Sequence, residues 1–208
     1  MKVVCVGYGS FELAVRDICD ALGYEYLGRL LHPWDASGDV EMFPLGSTPL
    51  MVEASMAAIM ACCRTPLTLV SPLAQVSRRA EVGQGVLIEP FVGIAGKAAV
   101  RGGAVLQTHC SIAHDCEIGN FANLAPGCLL AGGVKVGARA VLGTGVVVVP
   151  NRSIGPGAKV WAGAVVQQDV SPGSTHYARQ LPQPFSQRST PEPALDPRVA
   201  LDPDLVAL

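Results

Sequence analysis

From Val76 to Val166 every sixth residue is aliphatic, and no insertion breaks the register. The series runs Val76, Val82, Ile88, Ile94, Val100, Leu106, Ile112, Ile118, Leu124, Leu130, Val136, Leu142, Val148, Ile154, Val160 and Val166. Two positions earlier stands a small residue in many rows, such as Ala80, Ala98, Ala104, Ala122 and Ala140. One position later Gly, Ala or Ser recurs, as at Gly83, Ala95, Gly119 and Gly143. A fixed short period marks a solenoid, and a period of six marks a parallel β-helix. Each row is a short strand and a corner, and three rows close one triangular coil with the aliphatic residue inside. Strands of successive coils pair at roughly 4.8 Å, so the rows predict a little over five coils and a rod about 25 Å long. An α-helix does not compete, because six does not match 3.6 and each interior glycine would cost ~1 kcal/mol there. The spacing leaves the hand of the coil open, although parallel crossovers in general favour the right hand.

Half of the residues are hydrophobic yet only 5 % are aromatic, which predicts a core of small aliphatics. The net charge of −2 gives no electrostatic reason to expect nucleic acid or an anionic membrane surface as partner. No apolar run reaches the ~18 residues of a membrane span. Met1 to Gly7 is too short for a signal peptide and lacks its cleavage site, so a cytoplasmic protein is expected. The seven cysteines are then reduced thiols without a zinc-type spacing. Cys110, Cys116 and Cys128 share one repeat position with alanine and valine and read as packing residues.

The ends of the chain have a different texture. Residues 1–70 read as a small α/β domain: a strand at Val3–Val6, a glycine turn at Gly7-Tyr8-Gly9-Ser10, and a helix from Phe11 to Leu22. A second strand follows at Tyr24–Leu31, then a helix at Glu53–Cys63 and a last strand at Leu67–Val70 before the coil. Residues 71–170 form the β-helix. Residues 171–208, punctuated by Pro182, Pro184, Pro191, Pro193, Pro197 and Pro203, read as a flexible tail.

Polar residues capable of chemistry cluster in Thr108-His109-Cys110-Ser111-Ile112-Ala113-His114-Asp115-Cys116-Glu117-Ile118-Gly119. His114 lies two residues past Ile112, at a corner, where its ring projects from the prism. One coil later the equivalent residue is Gly132, whose missing side chain leaves a backbone N–H uncovered beside whatever the imidazole reaches. A neutral imidazole beside an exposed donor suits a general base with a site for a developing oxyanion. His109, His32 and His176 read as structural or surface residues. The ring of Trp161 points outward, against a neighbouring chain or a bound adenine.

The run His114-Asp115-Cys116-Glu117-Ile118-Gly119-Asn120-Phe121, with Ala125-Pro126-Gly127 and Leu130-Ala131-Gly132-Gly133-Val134-Lys135-Val136-Gly137, resembles the hexapeptide-repeat acetyltransferases of sialic acid or nucleotide-linked amino sugars. The resemblance implies a mainly β fold, a left-handed parallel β-helix preceded by a shortened Rossmann-like domain. It also implies a homotrimer that binds acetyl-CoA between neighbouring coils and carries acetyl to an amine or hydroxyl of a sugar. His114 matches the catalytic base, Asp115 its acidic partner and Gly132 the backbone donor near the thioester. Asn123, Thr144, Ala162 and Gly163 match cofactor-lining positions, and Gly9, Ser10 and Phe11 fall on the acceptor turn. No metal is implied.

Departures from the family concentrate on the acceptor side. Histidine often stands where this chain has Asn123, and the first glycine turn commonly ends in Gly-His rather than Ser10-Phe11. Leu30-Leu31-His32-Pro33 stands where relatives tend to have acidic residues, and the later strand with its own glycine turn is expected to be missing between Pro49 and Pro66. Ser174-Thr175-His176-Tyr177-Ala178 replaces a familiar Gly-Val-Pro-Ala. Two other classes remain open on this fold. One is a γ-type carbonic anhydrase, for which His109 and His114 have a suggestive spacing but a third histidine is lacking. The other is a non-catalytic trimeric scaffold derived from an acetyltransferase.

Overall fold

A computed structural model describes residues 1–33 and 39–178. The expected prolines of the tail lie beyond the described residues. From Leu69 onward the chain winds through eighteen two-residue strands, three per turn, into a parallel β-helix of about six turns. The three sides of the prism are parallel sheets of seven, six and five strands. The first face starts at Leu69–Val70 and carries Leu87–Ile88, Val105–Leu106, Asn123–Leu124, Val141–Leu142 and Lys159–Val160 before Thr175–His176. The second runs from Gln75–Val76 to Val165–Val166, and the third from Glu81–Val82 to Ser153–Ile154. In the strands up to Val165–Val166 the second residue points inward, so the sixfold aliphatic series becomes one continuous core from Val86 to Val170.

Leu69–Val70 is therefore the first rung of the coil rather than the last strand of the N-terminal region, because it pairs with Leu87–Ile88 one coil on. At the other end the coil continues past residue 170 to a rung at Thr175–His176. That final coil is shorter than the others. Val170 bridges Ile154 and His176 pairs with Val160, offsets of sixteen residues instead of eighteen.

From Gly85 to Gly163 each corner turns through a left-handed residue at a fixed place, three positions after the inward aliphatic. Glycine fills it at Gly85, Gly103, Gly127, Gly133, Gly145, Gly157 and Gly163, but Phe91, Lys97, His109, Asp115, Phe121, Arg139 and Asn151 adopt it as well. The geometry belongs to the fold rather than to glycine alone. Cys110, Cys116 and Cys128 are buried as expected, and each sulfur also donates a weak hydrogen bond to a carbonyl of the following coil, at Ala125, Ala131 and Gly143.

Before the coil lies a three-stranded parallel sheet in the order β2-β1-β3, with β1 at Lys2–Tyr8, β2 at Glu25–Leu30 and β3 at Glu41–Gly46. Helix α1, Glu12–Leu22, follows β1 and ends at the left-handed Gly23. Helix α2 runs over Pro49–Ala61, four residues earlier than the Glu53 start expected from its apolar run. Thr48 caps it by accepting the Met51 N–H, and Pro49 stands at its first turn, where a missing N–H costs nothing. The third strand and its glycine turn are present after all, at Glu41–Gly46 rather than between Pro49 and Pro66. Pro44 lies inside it, which is tolerated because β3 is an edge strand.

The sheet and coil share a core. Val3, Cys5, Val15, Ile18, Phe43, Leu45 and Val52 pack on Leu69, Leu87 and Val105, the outward residues of the first three rungs of the first face. Where this cover ends, the outward residues turn to Asn123, Val141 and Lys159. Glu53 of α2 and the corner residue Arg139 close the contact with a two-point ion pair. Met1 to Ala178 accordingly forms one compact unit.

Candidate active site

Backbone hydrogen bonding at the corners decides which donors a ligand can reach. The first corner residue donates its N–H to the next coil, as Ala131 does to Val148 and Gly143 to Val160. The third donates back to the previous coil, as Gly133 does to the His114 carbonyl. The second residue has no such partner, so the N–H groups of Gly132, Thr144 and Ala162 are unpaired among the described residues. Thr108 is an exception, because the carboxylate of Glu89 accepts its N–H at 3.0 Å.

His114 is the second residue of a corner between the second and third faces, and its side chain is 71 % exposed. Asp115, the next residue, takes the left-handed conformation with φ of 59°, which aspartate tolerates better than most residues. This swing brings its Oδ2 to 2.7 Å from His114 Nδ1. An ionised carboxylate only accepts, so in this contact Nδ1 is the donor, and the neutral ring in that tautomer has its lone pair on Nε2. The ring lies directly over Gly132: a Cβ there would stand 2.8 Å from both His114 Cε1 and Nε2. Only glycine leaves room for the imidazole, and the unpaired Gly132 N–H belongs to the same residue. His114, Asp115 and Gly132 are thus brought together as the register implies.

The other candidates sit elsewhere on the prism. Thr144, Ala162 and Gly163 occupy the corner between the first and second faces, and Asn123 points out from the first face. That face lies opposite the corner of His114, so a single chain keeps the histidine and Asn123 on different sides of the core. Gly163 donates its N–H to the Thr144 carbonyl and presents an open surface, with no atom within 4 Å of an added Cβ. Asn123 Oδ1 accepts from Gln107 Nε2 at 3.0 Å. It lines a cleft of about 600 Å³ with Ser47, Thr48, Pro49, Leu50, Arg139, Val141, Gly157 and Lys159.

Gly9 and Ser10 form the turn between β1 and α1, back to back with the Gly46-Ser47 turn between β3 and α2. A Cβ on Gly9 would meet the Gly46 backbone at 2.8 Å, and the Ser10 N–H donates to Ser47 Oγ at 2.9 Å. Phe11 packs against the shared core. His109 stands at another corner from His114 with its ring 5.0 Å from that of Phe91, so the two histidines do not converge on one ion. Among the described residues no group of three His, Cys, Asp or Glu side chains is arranged to hold a metal.

Sequence reasoning missed several residues that shape these surfaces. Glu89 is 7 % exposed, and burial pushes its carboxyl above the usual range despite the Thr108 N–H. Arg139 holds the Glu53 carboxyl below its usual range. The one available signal was the apolar character of Leu69, Leu87 and Val105 at positions that should face water.

No family model and no curated protein matches the chain. Solved structures do. The acetyltransferase domain of PglB from Neisseria gonorrhoeae FA1090, in complex with acetyl coenzyme A, superposes with a TM-score of 0.79 at 22 % identity, covering 85 % of this chain and 95 % of that one. PerB from Caulobacter crescentus, in complex with CoA and GDP-perosamine, gives 0.77 at 27 % identity, covering 85 % and 94 %. WeeI from Acinetobacter baumannii AYE gives 0.73 at 22 % identity, covering 84 % and 96 %. The chain therefore resembles sugar acetyltransferases along nearly its whole described length.

Proposed function

We propose that this chain is an acetyl-CoA-dependent acetyltransferase whose acceptor is the amine or hydroxyl of a sugar, with a nucleotide-linked amino sugar favoured over free sialic acid. The observation that carries the reading is the His114 imidazole, oriented by Asp115 and seated on Gly132. PerB, solved with CoA and a nucleotide-linked sugar, supports it. In the reaction the acceptor N or O attacks the thioester carbonyl while His114 Nε2 takes its proton. The Gly132 N–H steadies the negative charge that develops on the carbonyl oxygen. The C–S bond then breaks, and the proton passes from the imidazolium to the departing CoA sulfur.

The reading includes a homotrimer. Within one chain His114 lies opposite Asn123, and a neighbouring copy supplies the missing half: its Thr144 and Ala162 N–H groups for the pantetheine amides and its Asn123 near the thioester. The coil is left-handed on this reading and the N-terminal sheet Rossmann-like. With strand order β2-β1-β3, successive strands are added on opposite sides of β1, and ligands of such sheets bind outside the strand ends at that reversal. The turns there are Gly9-Ser10-Phe11 and Gly46-Ser47-Thr48, next to the Asn123 cleft, which suits the nucleotide of the acceptor. No described helix is long and apolar enough to cross a membrane, and we assign the protein to the cytoplasm.

The test is thiol release from acetyl-CoA across a panel of nucleotide-linked amino sugars and free sialic acid, with the parent and His114→Ala. Release with a nucleotide-linked amino sugar is expected, falling roughly 10²–10⁴-fold in the variant while CoA binding persists. Equal rates in the two proteins would remove His114 as the base. A parent that binds no acetyl-CoA would make the protein a scaffold.

A further inference from the structure

Trp161 and Tyr177 open the last two corners between the first and second faces, the place held in earlier coils by Gln107, Ala125 and Gly143. Their rings stack with centroids 5.6 Å apart and planes 22° from parallel, and the residues are 58 % and 63 % exposed. Two large rings thus offer an uncovered flat π surface to water. Below them, Ala125 and Gly143 keep the corner narrow, and the unpaired N–H groups of Thr144 and Ala162 flank the path. Lys159, in the strand that feeds Trp161, is exposed and has no ion-pair partner among the described residues.

A flat aromatic surface beside an ammonium group suits a purine nucleotide: the base stacks and a phosphate meets the cation. Position along the rod decides which nucleotide. The Asn123 rung and the Thr175 rung are three coils apart, or roughly 14 Å at ~4.8 Å per coil. The rings therefore lie an extended linker away from the level of Asn123, at the end of the coil remote from the rungs that α1 and the sheet cover. The acceptor turns Gly9-Ser10 and Gly46-Ser47 belong to that covered end.

We propose that the Trp161–Tyr177 pair is the platform on which the adenine of acetyl-CoA stacks, with Lys159 supplying charge for its phosphates. This rests on the acetyl-CoA reading above. The pantetheine arm then runs down the corner, its amide carbonyls accepting from Ala162 and Thr144, and delivers the thioester near Asn123.

The experiment compares two donors on the full chain, acetyl-CoA and acetyl-pantetheine, which lacks the nucleotide. Trp161→Ala and Tyr177→Ala should raise the KM for acetyl-CoA about tenfold, ~1.4 kcal/mol, with kcat little changed. Trp161→Phe should restore most of the loss. The KM for acetyl-pantetheine and for the acceptor should be the same in parent and variants. An equal rise for both donors, a rise for the acceptor instead, or no rise at all would overturn the platform. Should the parent transfer from neither donor, the acetyltransferase reading fails separately. Calorimetric titration with CoA and pantetheine then decides: a preference for CoA that Trp161→Ala abolishes supports the platform, and equal binding of the two ligands overturns it.

Discussion

The coil and the sheet that precedes it solve the same problem by opposite means. Each rung of the coil repeats the rung before it, so a position is defined by its phase in a count of six, and neighbours in space are eighteen residues apart. In the sheet no position repeats. Val3, Phe43 and Val52 come from three different elements and meet only because β1, β3 and α2 pack together. A regular scaffold makes its own exceptions conspicuous: among many equivalent corners, one places a histidine over a glycine. An irregular scaffold hides its exceptions, because every residue there is unique. The proposed base was therefore easier to find than the proposed acceptor site.

The sharpest test of that contrast is the stacked pair itself. Gly132→Ala puts a methyl where the imidazole lies, and the ring must move away from the neighbouring N–H. A displacement on the order of 1 Å at a reacting group costs about 10²-fold, so kcat should fall by roughly that factor while thermal stability changes little. A full-rate Gly132→Ala enzyme would mean that the coil does not carry the base.

The next test asks whether the two regions are separate at all. Leu87 points out of the coil into the core of the sheet and is fully buried. Leu87→Ala should cost about 2–4 kcal/mol, read as a shift of one cooperative unfolding transition. Two transitions, only the first of them shifted, would show that the sheet melts alone.

Smaller effects come from the two perturbed carboxyls, with opposite signs. Glu89 has a raised folded-state pKa, so the folded protein holds its proton more tightly and loses stability as pH rises from about 4.5 through the folded value. Glu89→Gln keeps an acceptor for the Thr108 N–H, and its stability relative to the parent should improve over that rise. Urea midpoints across pH 4–8 measure the trend, and a flat difference would refute it. Glu53 has a lowered pKa through Arg139, so its contribution is present at neutral pH and lost as pH falls through the folded value. Arg139→Ala should be slightly less stable than the parent at pH 7, and the gap should close in acid. A gap that persists in acid would assign the role of Arg139 to packing.

Much of the coil was legible because inward side chains recur on a count that no other fold shares. Its first rung was not, since Leu69–Val70 precedes the glycine-rich corners and reads equally well as an ordinary strand. Half of the left-handed corner residues are not glycine, so searching for glycine alone would have overlooked Asp115, whose conformation aims its carboxylate at His114. In the sheet, Pro44 disguised β3, and the start of α2 was written in Thr48-Pro49 rather than in its apolar run. The unpaired N–H groups of Gly132, Thr144 and Ala162 could not be read from residue identity at all. They follow from which coil each corner bonds to, and that is a property of winding.

The shortened last coil has a consequence for assembly between molecules. A β-helix that ended on a complete coil would expose three strand edges in phase, a template onto which another molecule could wind and continue the stack into a fibre. Here Val166 is followed by an inward Val170 after four residues instead of six, and the final rung pairs two residues out of step. An incoming coil of normal length would meet its corners displaced. The missing pair of residues breaks, within the described part of the chain, the phase that a further identical unit would have to match.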